Sequence, residues 1–267
     1  MLPKAKKAFG QNFLVDQTVV QKILRATELT AGELVVEIGS GTGVLTQALV
    51  SSGAQVITVE KDQDLIPLLD QKFRHQLTLI QGDILTAECL ATVAKHLAHR
   101  PFKVVANIPY NITSPLLKQL LTHSPKPTRL ALMLQKEVAE RITALPPRMS
   151  VLSVMCQLYA HCTRVALVKA GAFRPIPKVD SFIVRLDVYD PAHPYLQGLD
   201  PEQVIAFAKR GFAAKRKQLK TTLGVSITPF LEQLGLDPRV RAEALSVEQW
   251  IDLVRYTTRY NCTTIRS

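Results

Sequence analysis

The chain has 267 residues and is 47% hydrophobic, enough to bury a full core and to exclude a disordered protein, and long enough for one large domain with a smaller companion. Its net charge of +11 is unevenly placed: residues 1–100 carry 10 basic and 10 acidic side chains, residues 101–200 carry 12 against 6, and residues 201–267 carry 11 against 6. The cysteines Cys89, Cys156, Cys162 and Cys262 stand at no metal-ligand spacing such as C-x-x-C and the six histidines do not cluster near them, so neither a metal site nor a disulfide framework is expected.

The segment 1–10 has Lys4, Lys6 and Lys7 but no apolar stretch of leader length behind them, and no run reaches membrane-spanning length. A soluble, cytoplasmic protein with no membrane partner is expected. Hydrophobic spacing predicts a helix over 16–28, with Val19, Val20, Ile23 and Leu24 on one face, and then a buried strand at 34–38. Helices at 44–51, 64–73, 86–99 and 114–123 alternate with strands at 55–60, 77–81, 102–107 and 130–134. Strands separated by helix-length segments imply right-handed crossovers and a parallel sheet covered on both faces. After helices at 136–144 and 151–159, the strand-like runs 163–168 and 182–188 follow with no helix between them and should pair as a hairpin. Their connection, 169–181, is long, proline-rich and basic, the kind of loop that tends to carry function. Beyond Asp190-Pro191 the pattern is helical. The expected fold is an α/β domain at 1–190, mostly parallel with an antiparallel hairpin at its C-terminal end, and a small all-α, basic domain at 191–267.

The loop after the first predicted strand reads Glu37-Ile38-Gly39-Ser40-Gly41-Thr42-Gly43, and closely spaced glycines there let a ligand approach the backbone and a helix N-terminus. Glu60, 21 residues beyond Gly39 at the end of the next strand, has the place and spacing of a carboxylate that accepts from ribose hydroxyls. The spacing is G-x-G-x-G and not the G-x-G-x-x-G of dinucleotide binders. Asp83 adds an acid at the same sheet edge, suited to an adenine amino group or a nearby amide. A nucleoside without pyrophosphate fits these parts better than NAD does.

At the fourth strand end stands Asn107-Ile108-Pro109-Tyr110: an amide acceptor, a proline that stiffens the backbone before it, and an aromatic face. Together they describe a device for holding an amino group on a flat heterocycle. Two intervals contain no acid, Arg141–Val179 and Gln203–Leu231, and each holds six Lys or Arg. Such a distribution suits a polyphosphate partner, although it also suits a solvated face.

With these motifs in place the sequence resembles the Rossmann-like methyltransferases that use S-adenosyl-L-methionine, and within them the ribosomal RNA adenine dimethylase family of the small-subunit type. The resemblance runs through Phe9-Gly10-Gln11-Asn12-Phe13-Leu14, the glycine loop with Glu37, Glu60, Gly82-Asp83, Asn107-Ile108-Pro109-Tyr110-Asn111-Ile112, the run Phe173 to Ser181, and Phe212 to Leu219. It implies that Asn12 and Leu14 line the cofactor's methionine end, that Gly39 and Gly41 let it approach, that Glu60 holds the ribose, that Asp83 with Ile84 holds the adenine, and that Asn107 closes the site. It also implies dimethylation of two adjacent adenosines in the hairpin near the 3′ end of small-subunit (16S) ribosomal RNA, the substrate being RNA in an immature small subunit and the enzyme a monomer.

In that setting the Asn107 oxygen and the Ile108 carbonyl would accept from the adenine amino group, Pro109 would keep Ile108 extended, and Tyr110 with Phe173 would sandwich the base. Phe173 alone reads as a core aromatic, and only its flanking prolines and basic residues favour a loop position. Arg174, Lys178, Lys209, Arg210, Lys215, Arg216, Lys217 and Lys220 are the candidate RNA contacts. The alternatives are a resistance-type adenine methylase of large-subunit RNA, a non-catalytic assembly factor that keeps a cofactor fold, and a small-molecule methyltransferase.

Overall fold

The computed structural model of the protein describes residues 3–195, 197–224 and 227–259; Cys262 lies outside them. By its internal contacts the chain forms two compact units, one of residues 1–139 with 161–188 and the other of 140–160 with 189–267.

In the first unit a short strand β1 (Phe13–Leu14) precedes helix α1 (Gln17–Thr27), and the chain then alternates through β2 (Leu34–Ile38), α2 (Val44–Ser51), β3 (Gln55–Glu60), α3 (Ile66–Phe73), β4 (Thr78–Gln81), α4 (Ala87–Leu97), β5 (Phe102–Asn107), α5 (Thr113–Thr122) and β6 (Arg129–Gln135). Helix α6 (Lys136–Ile142) and helix α7 (Val151–Tyr159) follow, then β7 (Ala160–Val168), β8 (Phe173–Arg174) and β9 (Ser181–Val188). Local chemistry sets several of these limits. Asp16 caps α1 by accepting from Thr18 N–H, and Thr86 caps α4 by accepting from Cys89 N–H. Helix α3 starts two residues later than its periodicity suggests. The Asp62 side chain accepts from Asp64 N–H and the Asp62 carbonyl from Leu65 N–H, which holds a turn ahead of it.

The seven-stranded sheet has the order β4-β3-β2-β5-β6-β9-β7. Its pairs from β4 through to β6 are parallel, and β9 runs antiparallel to β6 in register from Arg129↔Asp187 to Gln135↔Ser181. Strand β7 is hydrogen-bonded to β9 at the far edge, as the expected hairpin requires. The apolar face of α1 packs with α2 on Val35, Val56, Val105, Ala131, Met133 and Ile183, so strands buried on both sides read as continuous apolar runs in the sequence.

In the second unit, α7 packs against α8 (Pro201–Gly211) and α11 (Val247–Arg259), with α9 (Leu219–Leu223) and α10 (Thr228–Gln233) between the latter two in the chain. Trp250 is fully buried at the centre, and a side chain on Gly211 would come within 2.4 Å of its indole. This corrects the expected single cut after residue 190. Met149 N–H donates to the Glu243 carbonyl and Tyr189 N–H to the Tyr159 carbonyl, so the segment 140–160 joins the C-terminal helices, although strands of the first unit flank it in the chain. Among the described residues no helix is long and apolar enough to cross a membrane.

Candidate active site

From β2 the chain winds outward to β3 and β4, and from β5 it winds the other way to β6, so the direction of winding reverses between β2 and β5. The carboxyl ends of such strands frame a crevice, and ligands of open α/β sheets bind there. The sequence candidates fall in one row along it. Gly39 follows β2 beside Asn107 at the end of β5, Glu60 ends β3, and Gly82-Asp83 follows β4. Gly39 N–H donates to the Val59 carbonyl at 2.8 Å and Gly82 N–H to the Glu60 carbonyl at 2.9 Å, which keeps each turn in step with its neighbour.

The row lines an open cleft of about 920 Å³, counted with the open solvent at its mouth. Gly39, Gly41, Glu60, Asp83, Ile84, Asn12 and Asn107 through Tyr110 all line it, as do Lys61, Asn111 and Ile112. Leu14 faces a smaller adjoining cavity that shares Gly39, Gly41 and Asn107 with the first. Gly41 has φ +56°, which side chains rarely adopt, and a Cβ there would stand 3.3 Å from the Phe13 ring, so the ring would have to give by a few tenths of an ångström.

Glu60 is buried, with one carboxylate oxygen accepting from Gly41 N–H and the other from Asp62 N–H, each at 2.8 Å. Burial holds its carboxyl above the ordinary carboxylate range in spite of those donors. Each oxygen keeps a second lone pair, which fits acceptance from a ribose diol. Asp83 accepts from Lys61 Nζ at 2.7 Å and from Leu85 N–H at 3.0 Å. Partial burial pushes the Asp83 carboxyl up, but these two donors outweigh it and keep the group below its ordinary range. Lys61 is the cation of the cleft wall and is engaged with Asp83, so the walls suit an uncharged nucleoside better than a pyrophosphate. Beneath the loop, Glu37 is fully buried, accepts from Thr46 and Thr58 hydroxyls at 2.6 and 2.9 Å, and is pushed up to about 7 by burial.

The N-terminal segment lies over this row as a strap. Lys6 pairs with Asp62 and Asp64, Gln11 donates to Asp62 at 2.7 Å, and the Phe9 ring has the ammonium groups of Lys6 and Lys61 at 5.5 and 5.7 Å. Asn107 Nδ2 donates to the Asn12 carbonyl at 3.1 Å, which leaves Asn107 Oδ1 with no hydrogen bond among the described residues. Tyr110, half-buried in the cleft wall, shares a hydrogen bond of 3.0 Å with Ser181. The strap residues Phe9 to Gln11 and Ser181 drew no role from the sequence beyond their place in a motif, and Lys61 had no local signal at all.

Phe173 is not at the cleft, and its expected place as a second stacking face is corrected. It is 1% exposed, packs in the core with Leu14, Val19, Met133 and Ile183, and its strand β8 pairs antiparallel with β1 (Leu14↔Phe173). Alternation along that two-residue strand turns Phe173 inward and Arg174 outward. Arg174 and Lys178 are exposed in the first unit, and Lys209, Lys215, Arg216 and Lys217 in the second, where Arg210 and Lys220 are half-buried. Among the described residues no group of three or more His, Cys, Asp or Glu could hold a metal ion, and Cys89, Cys156 and Cys162 are in no disulfide.

A family model described as ribosomal RNA adenine dimethylase matches residues 2–259. The chain is 42% identical over 254 residues to the ribosomal RNA small subunit methyltransferase A of Phenylobacterium zucineum, covering 93% of this chain and 87% of the relative. It is 40% identical to the protein of the same name from Pseudomonas aeruginosa, with 94% and 93% covered. Among solved structures, a dimethyladenosine transferase from Plasmodium falciparum superposes with a TM-score of 0.78 at 25% identity, covering 93% of this chain and 98% of that one. The 23S rRNA methyltransferase ErmE superposes with a TM-score of 0.75 at 29% identity, covering 91% and 98%. The match along nearly the whole chain agrees with the glycine loop, the acid row and the Asn107 motif gathered at one switch point, and the chain belongs to the ribosomal RNA adenine dimethylase family.

Proposed function

We propose that Asn107, Ile108, Pro109 and Tyr110 receive the amino group of a target adenine, beside a cofactor held by Gly39, Gly41, Glu60, Asp83 and Ile84 with Asn12 and Leu14 at its methionine end. The activity itself is that of the family: S-adenosyl-L-methionine-dependent dimethylation of adenine N6 in small-subunit ribosomal RNA. When bound, the cofactor supplies a methyl group on a sulfonium, an electrophile strong enough that attack needs neither a metal nor a general base.

The N6 lone pair of adenine is delocalised into the ring, so the chain's task is to position it. Asn107 Oδ1 and the Ile108 carbonyl accept the two amino hydrogens and turn the lone pair toward the methyl. The Asn12 carbonyl fixes the Asn107 amide in the orientation that offers its oxygen; this single observation carries the reading. Pro109, at φ −56° and ψ 131°, ends the extended stretch and turns the chain so that Tyr110 presents its ring to the cleft. The base stacks on Tyr110, with a contribution of about 1–3 kcal/mol. A duplex conceals its bases, which favours unpaired targets, and the family resemblance implies two adjacent adenosines in the hairpin near the 3′ end of the RNA. Arg174, Lys178 and the basic residues 209–220 bind phosphates and set register without reading sequence. The form of the enzyme entailed here is a monomer acting on immature small subunits in the cytoplasm.

Asn107→Ala is expected to abolish methyl transfer to unmodified small subunits while RNA affinity stays within about twofold, since phosphate contacts dominate that affinity. Unchanged turnover would refute the role of Asn107, and activity confined to protein-free large-subunit RNA would refute the substrate.

A further inference from the structure

We infer that Ser181 is a positioning residue for methyl transfer: its hydroxyl holds the axis of the Tyr110 ring, on which the target base is received, in one direction. The inference rests on the stacking role proposed for Tyr110. Ser181 opens strand β9, is fully buried, and has its Oγ 3.0 Å from the Tyr110 hydroxyl across a sequence separation of 71 residues.

The backbone that carries Ser181 is itself held on several sides. Ser181 stands opposite Gln135 in the β6–β9 ladder. The Asp180 carboxylate next to it accepts from Ala170 N–H and Lys169 Nζ at 3.0 Å, and its carbonyl accepts from Lys136 N–H at 2.9 Å. Tyr110, by contrast, begins a three-residue turn, 110–112, where a side chain attached at one end retains rotation about χ1 and χ2. A hydrogen bond to the hydroxyl, which lies on the line about which χ2 turns, adds a second point that holds the ring axis against a swing about χ1. The anchor therefore belongs to the hydrogen-bonded sheet and the anchored ring to a short turn at the lip of the cleft.

Orientation matters more here because Phe173 is in the core, so no second ring from that residue corrects a tilted base. The angle of the Tyr110 ring then sets where the amino nitrogen meets Asn107 Oδ1. A base displaced by a fraction of an ångström still binds, but it lies off the line of attack, and such errors cost rate more than affinity.

The test is single-turnover methyl transfer to small subunits lacking the modification, at saturating enzyme, for Ser181→Ala, Tyr110→Phe, the double variant and Tyr110→Ala. S-Adenosylhomocysteine affinity and thermal melting are measured alongside. Each of Ser181→Ala and Tyr110→Phe is expected to slow transfer roughly tenfold with S-adenosylhomocysteine affinity within about twofold, and the double variant to be no slower than the slower single. Parental rates for Ser181→Ala and Tyr110→Phe with a slow Tyr110→Ala overturn the anchoring and leave the stacking role standing. A parental rate for Tyr110→Ala removes the stacking role and the inference together. Losses that multiply in the double variant show that the two hydroxyls act separately and also overturn it. Should Ser181→Ala melt early, Tyr110→Phe decides alone: slow transfer supports the anchor and parental transfer refutes it.

Discussion

Replacing Glu60 by glutamine tests the cofactor assignment at the point where the geometry is least forgiving. Both carboxylate oxygens already face backbone donors, Gly41 N–H and Asp62 N–H, at 2.8 Å. A glutamine offers one oxygen and one NH2, so whichever way the amide turns, one N–H is left against another donor in a buried setting. The loss of that charge-assisted bond is worth roughly 1.5–3 kcal/mol. It falls on the glycine loop through Gly41 and on the acceptor offered to a ribose, so cofactor affinity should drop roughly 10- to 100-fold. Titration calorimetry with S-adenosylhomocysteine at neutral pH measures this directly. A dissociation constant within about twofold of the parent's, with the fold intact by circular dichroism, would refute the assignment. The pH profile gives a second reading. Burial raises the Glu60 carboxyl, so the ionised acceptor is lost on acidification at a higher pH than an ordinary glutamate would lose it, and the parent's affinity should fall there while that of Glu60→Gln stays flat.

Three further outcomes are expected. Gly43 has φ +74° and a Cβ there would lie 2.7 Å from the Phe73 ring, so Gly43→Ala combines left-handed strain with overpacking; a melting point lower by roughly 5–15 °C is expected, against a smaller drop for Gly235→Ala, which has φ +69° and open space around it. Glu37 is pushed up from 4.5 to about 7, so the stability that its neutral form supports is fully present below the lower value and is lost as pH rises through the higher one, about 3 kcal/mol in all; Glu37→Gln should remove that loss in melting curves taken across the interval. Changing the exposed Lys215, Arg216 and Lys217 together to alanine should reduce the slope of log affinity for RNA against log salt by roughly 2, and an unchanged slope would exclude them from the phosphate contacts.

The central sheet was legible because β2, β3, β5 and β6 are largely buried on both faces and so write themselves as mostly apolar runs, and because the row of Gly39, Glu60, Asp83 and Asn107 falls at the ends of β2, β3, β4 and β5. What escaped the sequence is held by pairings that leave no local pattern. Strands β1 and β8 have two residues each, too few for any periodicity, and their partnership decides that Phe173 belongs to the core. The place of α7 with the C-terminal helices is fixed by bonds such as Met149 N–H to the Glu243 carbonyl, between segments far apart in the chain. Ser181 was readable only as part of a motif, because its partner is 71 residues away.

The pairing of β1 with β8 also has a consequence for how the molecule comes into being. Phe13 finds its register against Arg174, so strand β1 cannot pair until the chain beyond residue 174 has emerged. Contacts of such long sequence separation form late, after local helices and neighbouring strands have condensed. The glycine loop, Glu60 and Asp83 are therefore assembled on an open sheet before their cover settles. Lys6 and Gln11 can hold the strap to Asp62 and Asp64 without β8, so what awaits the later strand is the last part of the cover, Phe13 and Leu14.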